Sequence, residues 1–264
     1  MLKKLLKYDL KWINNNLVYF YAIALIFAVL GRLLSLIENS ILISIISKIC
    51  FGITISFVVN AIVNGVIRSW VRFIHNCYKD ESYLTHTLPV TKKQIYLSKF
   101  IASIITMAVG VIISLISLAI CYLSSDLIEN IKQILNILED KNIRVTLLII
   151  LFAILLILEF VFIISIGYFG IILGHKHNNN RFLKSVLYGF GGFVVSNLIT
   201  LVLMIILSLF NDSIRSVIFD SNNFVMSNSL LITLLIISIS CYIVYIVIFF
   251  IVNVKQFNKG VNVD

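Results

Sequence analysis

The sequence predicts an all-α polytopic membrane protein with six transmembrane helices. Hydrophobic residues make up 60% of the 264-residue chain and charged residues 12%, about half the charged fraction of an ordinary soluble domain. Six apolar runs are long enough to cross a hydrocarbon core of about 30 Å. These runs lie near residues 17–37, 41–67, 95–124, 144–173, 185–210 and 230–252. We expect residues 1–264 to form a single transmembrane domain.

Residues 1–16 are expected to form an amphipathic helix that lies in the membrane interface before the chain turns into the bilayer. Its apolar face comprises Leu2, Leu5, Leu6, Leu10 and Ile13 at helical spacing. Its polar flank comprises Lys3, Lys4, Lys7 and Lys11, and Trp12 suits the headgroup level. A basic leader that only sets the topology is the alternative. The apolar run that follows is too long for the core of a signal peptide, so we expect it to stay as a membrane helix.

The distribution of basic residues predicts that both termini are cytoplasmic, because cytoplasmic loops retain lysine and arginine. Most of the 21 basic residues fall on that side. They are Lys3, Lys4, Lys7, Lys11, Arg68, Arg72, Lys79, Lys92, Lys93, Lys99, Lys176, Arg181, Lys184, Lys255 and Lys259. Topology therefore accounts for the net charge of +9 without a nucleic-acid partner, and the basic loops suit anionic membrane lipid.

A polar interval, 78–95, separates the second and third apolar runs and holds the only proline of the chain, Pro89. Proline disfavours helix at the residue before it, so a short helix in this interval should end by about Leu88. Thr91 is expected to cap the next helix, with Gln94 completing a capping box. The interval thus predicts a short helix, a break at the proline, and a new helix entering the third span. A short rigid helix between two spans is suited to transmitting force from a soluble partner.

The segment ESYLTHTLPVTKKQI, residues 81–95, resembles the segment after the second span in permease subunits of ABC-2 type transporters. The match at residue level covers about Asp80 to Phe100, whereas the likeness in architecture covers the whole chain. The chain is most similar to small bacterial permeases of peptide-antibiotic efflux and immunity. In that family an interfacial helix precedes the first span, and the cytoplasmic segment between spans two and three is a coupling helix that docks on a separate ATP-binding subunit. The resemblance implies that the residues contacting this subunit are Asp80, Glu81, Tyr83, Leu84, Thr85, His86, Leu88 and Pro89.

The resemblance implies a permease subunit of an exporter in the bacterial cytoplasmic membrane, moving an antimicrobial peptide, a lipid-like molecule or a drug. The sequence contains no GxxxxGK[ST] phosphate-binding loop. ATP and Mg would therefore be bound by the partner, and we expect this chain to be no enzyme, with no catalytic residue, cofactor or metal of its own. Two cytosolic ATP-binding subunits and a second permease chain, identical or related, would complete the assembly.

Glu159 lies near the middle of the fourth apolar run, where an ionised side chain costs at least about 2.5 kcal/mol on insertion scales. We expect it to be protonated, paired, or facing a wet cavity. A functional role and a structural role, as a glutamate bonded across helices or at a dimer seam, are both open. Arg32 or Lys48 could neutralise it if their helices adjoin, although both can instead reach the headgroups.

Other features favour plain structural interpretations. Gly170 and Gly174 have the GxxxG spacing, which we interpret as helix packing only. His175 and His177 are interpreted as part of a solvated turn and not as a metal site, because no third ligand is near in sequence. Residues 125–142 predict an amphipathic helix on the outer surface, and the family resemblance implies short re-entrant helices within 211–229.

Rival functions belong to other classes. A membrane sensor or scaffold, or a secondary carrier without an ATPase, stays open as the alternative. Paired repeats with broken helices and several intramembrane charges would indicate a secondary carrier, and the sequence shows neither convincingly. An intramembrane enzyme would need a catalytic cluster such as HExxH within the bilayer. The membrane subunit of a vitamin-uptake system is closer, but the Tyr83–Lys99 motif fits exporters better.

Overall fold

The computed structural model describes residues 2–37, 40–123, 129, 145–211, 214–216 and 228–260. These residues form helices α1 Leu2–Ser35, α2 Ile41–Cys77, α3 Ser82–Thr87, α4 Lys92–Tyr122, α5 Val145–Gly174, α6 Arg181–Ser208 and α7 Asn228–Asn258. In this described part, six helices, all but α3, are long and apolar enough to cross a membrane by length and composition. The predicted all-α class is confirmed, and so are six long apolar helices as candidate spans.

The helices fall into two compact units, α1–α4 in unit 1 and α5–α7 in unit 2. In unit 1, α1 packs against α2 and α4, and α2 packs against α4 and the short α3. In unit 2, α5 packs against both α6 and α7. The expected single transmembrane domain stays a prediction.

Helix α1 is continuous, so the predicted interfacial helix with a turn into the bilayer near residue 16 is wrong. Its buried residues form one stripe at intervals of three and four along the whole helix: Asp9, Ile13, Leu17, Tyr21, Ala24, Ala28 and Gly31. Leu6 and Leu10, from the predicted apolar face, pack against the core that this stripe forms with α2 and α4. The predicted polar flank of Lys3, Lys4, Lys7 and Lys11 is exposed, and Trp12 is half-buried. Packing along one stripe holds the first turns in line with the rest of the helix.

Helices α1 and α2 are longer than a perpendicular span requires. Their 34 and 37 residues correspond to about 50 and 55 Å, against a hydrocarbon thickness of about 30 Å. The start of α1 contacts the last turns of α2, where Arg68 Nε donates to the Ile13 carbonyl at 2.9 Å. The first turns of α1 and the last turns of α2 therefore lie together at one end of unit 1, which we call the α3 end. This end carries the charged side chains that a bilayer core would exclude.

The break between α3 and α4 follows the prediction. Helix α3 stops at Leu88, whose backbone is extended (φ −63°, ψ 142°) ahead of Pro89. Thr91 Oγ1 accepts from the Gln94 backbone N–H at 3.3 Å, and Gln94 Oε1 accepts from the Thr91 backbone N–H at 3.1 Å. The predicted capping box is confirmed, and it fixes where α4 begins.

In unit 2, α5 and α6 approach closely at two glycines. A Cβ added to Gly170 would lie 2.4 Å from the Ser185 carbonyl oxygen, and one added to Gly174 would lie 2.1 Å from Ser185 Oγ. The predicted packing role of this GxxxG pair is confirmed, since no side chain fits between the helices there. Helix α7 is joined to α5 by the Asn253 side-chain amide, which donates to the Ser165 carbonyl at 2.9 Å.

Two predictions fall largely outside the described residues. They are the outer amphipathic helix within 125–142 and the re-entrant helices within 211–229.

Candidate functional site

A buried ionic cluster joins α1, α2 and α4 at the α3 end of unit 1. Its centre is Asp9 of α1, which is 1% exposed. Arg72 Nε donates to Asp9 Oδ1 at 3.0 Å, and Lys99 Nζ donates to the same oxygen at 2.5 Å. Ser98 Oγ donates to Asp9 Oδ2 at 2.9 Å. Arg72 and Lys99 are 7% and 1% exposed, so each buried charge has a partner in direct contact.

The cluster extends to α3 through Glu81, the residue that precedes this helix. Arg72 Nη1 donates to Glu81 Oε2 at 2.7 Å, and Asn76 Nδ2 donates to the same oxygen at 2.8 Å. Arg72 therefore bridges two carboxylates, that of Asp9 on α1 and that of Glu81 at the start of α3. Formal charges within the cluster cancel, because the two carboxylates face the cations of Arg72 and Lys99.

The electrostatics of the cluster keep Glu81 ionised at neutral pH. Partial burial raises its pKa, but the Asn76 hydrogen bond and the charge and hydrogen bond of Arg72 outweigh this effect, so the pKa lies below its ordinary value of 4.5. A carboxylate with a lowered folded-state pKa stabilises the fold above its ordinary pKa and loses this contribution as pH falls through the lowered value. The contribution is small, because the side chain is 42% exposed and screened by water.

An aromatic group supports the connection between α2 and α3. Phe73 packs edge-on against Tyr78 and Tyr96, with ring centroids 6.0 and 6.2 Å apart, and Tyr96 stacks on Phe100 at 5.9 Å. Burial raises the pKa of Tyr78 well above its ordinary value, so its hydroxyl stays neutral. These buried rings pack the connection between α2 and α3 against α4.

Helix α3 turns a polar face inward and an apolar face outward. Ser82 and Thr85 are buried, whereas Tyr83 is 67% and Leu84 73% exposed. Leu88, at the end of the helix, is 43% exposed. An exposed apolar face on a short helix is a feature of protein contact sites.

The predicted partner contacts divide by position. Those open to solvent are Asp80, Tyr83, Leu84, Leu88 and Pro89. Thr85 instead faces the bundle, and its hydroxyl donates to the Glu81 carbonyl at 2.9 Å. His86 is half-buried with its Nε2 3.2 Å from the Cys77 carbonyl oxygen. Glu81, Thr85 and His86 thus hold α3 in place, and the others form its accessible surface.

A groove of about 440 Å³ runs between α1 and α3 and reaches the ionic cluster. Its exposed lining residues include Tyr8, Leu84 and Leu88, and its buried lining residues include Asp9, Arg72 and Lys99. An apolar entrance above a charged floor can admit a side chain from a second protein. The exposed face of α3 and this groove, together called the α3 surface, form one continuous candidate binding site.

Sequence reasoning missed Asp9. It placed Arg72 and Lys99 among the loop charges that set topology, whereas both are buried against Asp9. One signal was available in the sequence: Asp9 stands four residues before Ile13, on the stripe that continues through Leu17. An acidic residue on the packing stripe of a helix predicts a buried basic partner.

Glu159 is half-buried in α5. Its carboxylate lies within electrostatic range of the Tyr242 hydroxyl on α7. Among the residues that the structure describes, no lysine, arginine or histidine forms an ion pair with it. Arg32 and Lys48 belong to unit 1, and neutralisation of Glu159 by either stays a prediction.

These features define a multi-pass, all-α membrane protein with six candidate spans, an architecture consistent with a transporter. Comparison of the chain with protein-family models, with curated proteins and with solved structures gave no match. An assignment of function therefore depends on the geometry of the α3 surface and on the resemblance within residues 80–100.

Proposed function

We propose that this chain is the membrane-spanning permease subunit of an ATP-driven ABC-2 type exporter. It would move a hydrophobic or amphipathic substrate out of a bacterial cell, using a separate cytosolic ATP-binding subunit that holds ATP and Mg. The observation that carries the proposal is α3, a six-residue helix between two candidate spans. It exposes Tyr83, Leu84 and Leu88 while its inner side is tied to the bundle.

The ionic cluster supplies a path for force from α3 into the spans. A displacement of α3 moves Glu81, Glu81 is hydrogen-bonded to Arg72, and Arg72 is bonded to Asp9 of α1. Asp9 in turn contacts Lys99 of α4. Separating buried charges is expensive, so α3 and the ends of the three spans should move together. The resemblance adds two ATP-binding subunits and a second permease chain, identical or related.

Leu84→Glu is expected to abolish binding of the ATP-binding subunit while leaving the chain folded and inserted. Leu84 is 73% exposed, so the substitution does not disturb the core, but it places a charge in an apolar contact. Loss of a central apolar contact residue costs roughly 2 kcal/mol or more, about 30-fold in affinity. The measurement is the amount of ATPase that co-purifies with the tagged chain, extracted in mild detergent from its native host.

Leu123→Glu is the matched control, because Leu123 is also an exposed leucine and directly follows the opposite end of α4. It should retain the ATPase. A wild-type chain that brings down no Walker-type ATPase under several gentle conditions would contradict the proposal and favour a sensor, scaffold or secondary carrier. Equal recovery of the ATPase with Leu84→Glu and with wild type would mean that α3 is not part of the interface.

The orientation that this function requires can be measured at the two ends of α4. Lys93 is exposed at the α3 end, and Leu123 is exposed after the other end. In intact cells a membrane-impermeant maleimide should label Leu123→Cys and should label Lys93→Cys only after the membrane is opened. The reverse pattern would place α3 outside the cell, where no ATP-binding subunit could reach it.

A further inference from the structure

Unit 2 contains a polar cavity between α5, α6 and α7, near the middle of each helix. Its volume is about 100 Å³, and it is lined by Phe162, Ser196, Asn197, Thr200, Ser238, Cys241, Tyr242 and Tyr245. All three helices are candidate spans. Polar side chains at such a depth are costly unless they are satisfied or serve a ligand.

Both serine hydroxyls and one amide N–H of this lining donate to their own helices, which leaves their side-chain oxygens as acceptors. Ser196 Oγ donates to the Gly192 carbonyl at 2.9 Å, and Ser238 Oγ donates to the Leu234 carbonyl at 2.9 Å. The Asn197 side-chain amide donates to the Phe193 carbonyl at 2.8 Å. Hydroxyl and amide oxygens keep free lone pairs when their hydrogens are engaged in this way.

Thr200 extends the pattern. Its hydroxyl donates to the Ser196 carbonyl at 3.0 Å, so the 2.8 Å contact with the Tyr245 hydroxyl uses Thr200 Oγ1 as the acceptor. Thr200 and Tyr245 are thus bonded to each other, and the oxygens of Ser196, Asn197 and Ser238 are the acceptors open to a ligand that brings hydrogen-bond donors.

Aromatic rings belong to the cavity lining, and one carboxyl group lies close to it. Phe162 packs against Tyr242 and Tyr245, with ring centroids 5.3 and 5.9 Å apart. Aromatic faces attract cations most strongly where water is excluded. Glu159 precedes Phe162 by three residues, so it lies one turn away on the same face of α5, within electrostatic range of Tyr242.

We propose that this cavity binds the ammonium group of an amphipathic molecule, with Ser196, Asn197 and Ser238 accepting its N–H bonds and Glu159 balancing its charge. A primary ammonium has three donors and no acceptor, which suits the side-chain oxygens of Ser196, Asn197 and Ser238. The apolar part of the ligand would lie along the exposed apolar surface of α6, beside the exposed Asn197. Binding at this site does not depend on the proposed function. To call the ligand the transported cargo is a separate step, and that step rests on the proposed function.

Cys241 provides a direct reporter, because this residue lines the cavity. The purified full chain, in detergent and without any ATPase, is treated with methyl methanethiosulfonate, and modification of Cys241 is followed by peptide mass spectrometry. Octylammonium should slow the modification saturably. The uncharged analogue 1-octanol and NaCl, at matched concentrations, should not slow it.

Glu159→Gln should raise the octylammonium concentration needed for half-protection at least about tenfold, the usual loss for a charged hydrogen-bonding partner. Ser240→Ala is the matched control, since Ser240 neighbours Cys241 but points to the exposed side and bonds only its own helix at the Ile236 carbonyl. The Ser240→Ala chain should need the same octylammonium concentration for half-protection of Cys241 as wild type.

Several outcomes would overturn the site. These are no protection by octylammonium, equal protection by 1-octanol, equal protection by NaCl, or protection that Glu159→Gln leaves unchanged. None of these results bears on ATPase binding, because the partner is absent from the measurement. Failure of the cation site and failure of the exporter proposal are thus separately visible.

Discussion

Asp9→Asn is expected to destabilise unit 1 by about 3–5 kcal/mol, the usual cost of removing one partner from a buried ionic cluster. The substitution keeps the size of the side chain but leaves Arg72 and Lys99 buried without their shared carboxylate. Both cations are almost fully buried, so water cannot take the place of the lost carboxylate. Thermal unfolding of the purified chain in detergent, followed by circular dichroism, measures the effect as a large drop in the midpoint.

Asp80→Asn is the matched control, because Asp80 is exposed near the same end of the unit. Its effect should stay within about 0.5 kcal/mol. Adding Lys99→Met to Asp9→Asn should recover part of the loss, since replacing a buried ion pair with apolar groups is often neutral. If Asp9→Asn unfolds at the same temperature as Asp80→Asn, the cluster contributes little to unit 1.

Local sequence signals were sufficient for six candidate spans, for the end of α3 and for the start of α4. The proline after Leu88 and the pair Thr91 and Gln94 act over a few residues, so their structural result follows from short-range rules. Apolar runs likewise predict spans from length alone. What the sequence misjudged was α1, because lysines beside leucines also fit an interfacial helix, and only packing on α2 and α4 makes the helix continuous.

The ionic cluster was not predicted from the sequence, because its ion pairs join residues that are far apart in the chain. Asp9 and Arg72 are 63 residues apart in the chain, and Asp9 and Lys99 are 90 apart. No local pattern states which basic residue turns inward, because a lysine at the membrane surface and a buried lysine look alike in sequence. The stripe that contains Asp9 was the one usable signal.

Glu159 shows the same limit inside the membrane. The sequence predicted the cost of its charge, which depends on depth alone. It could not predict the hydroxyl-rich cavity nearby, because Phe162, Thr200 and Tyr245 come from three different helices. Their meeting depends on how α5, α6 and α7 pack.

Gly170→Ala is expected to destabilise unit 2 by about 1–3 kcal/mol, the usual range for overpacking a tight interface. The added methyl group would lie 2.4 Å from the Ser185 carbonyl oxygen and 2.8 Å from the Gly189 amide nitrogen. Both are backbone atoms, so no side-chain rotation relieves the clash, and α5 and α6 must separate. The same thermal unfolding measurement in detergent reports the loss.

Gly191→Ala, on α6, is the matched control, because a Cβ there meets nothing within 4 Å. Alanine favours helix over glycine by about 0.5–1 kcal/mol, so this variant should be as stable as wild type or slightly more stable. The pair makes the same chemical change in the same unit and differs only in the space available. Equal unfolding temperatures for Gly170→Ala and Gly191→Ala would mean that α5 and α6 are not in backbone contact. The stability of unit 2 would then depend on other contacts between its helices, such as the Asn253 hydrogen bond that joins α7 to α5.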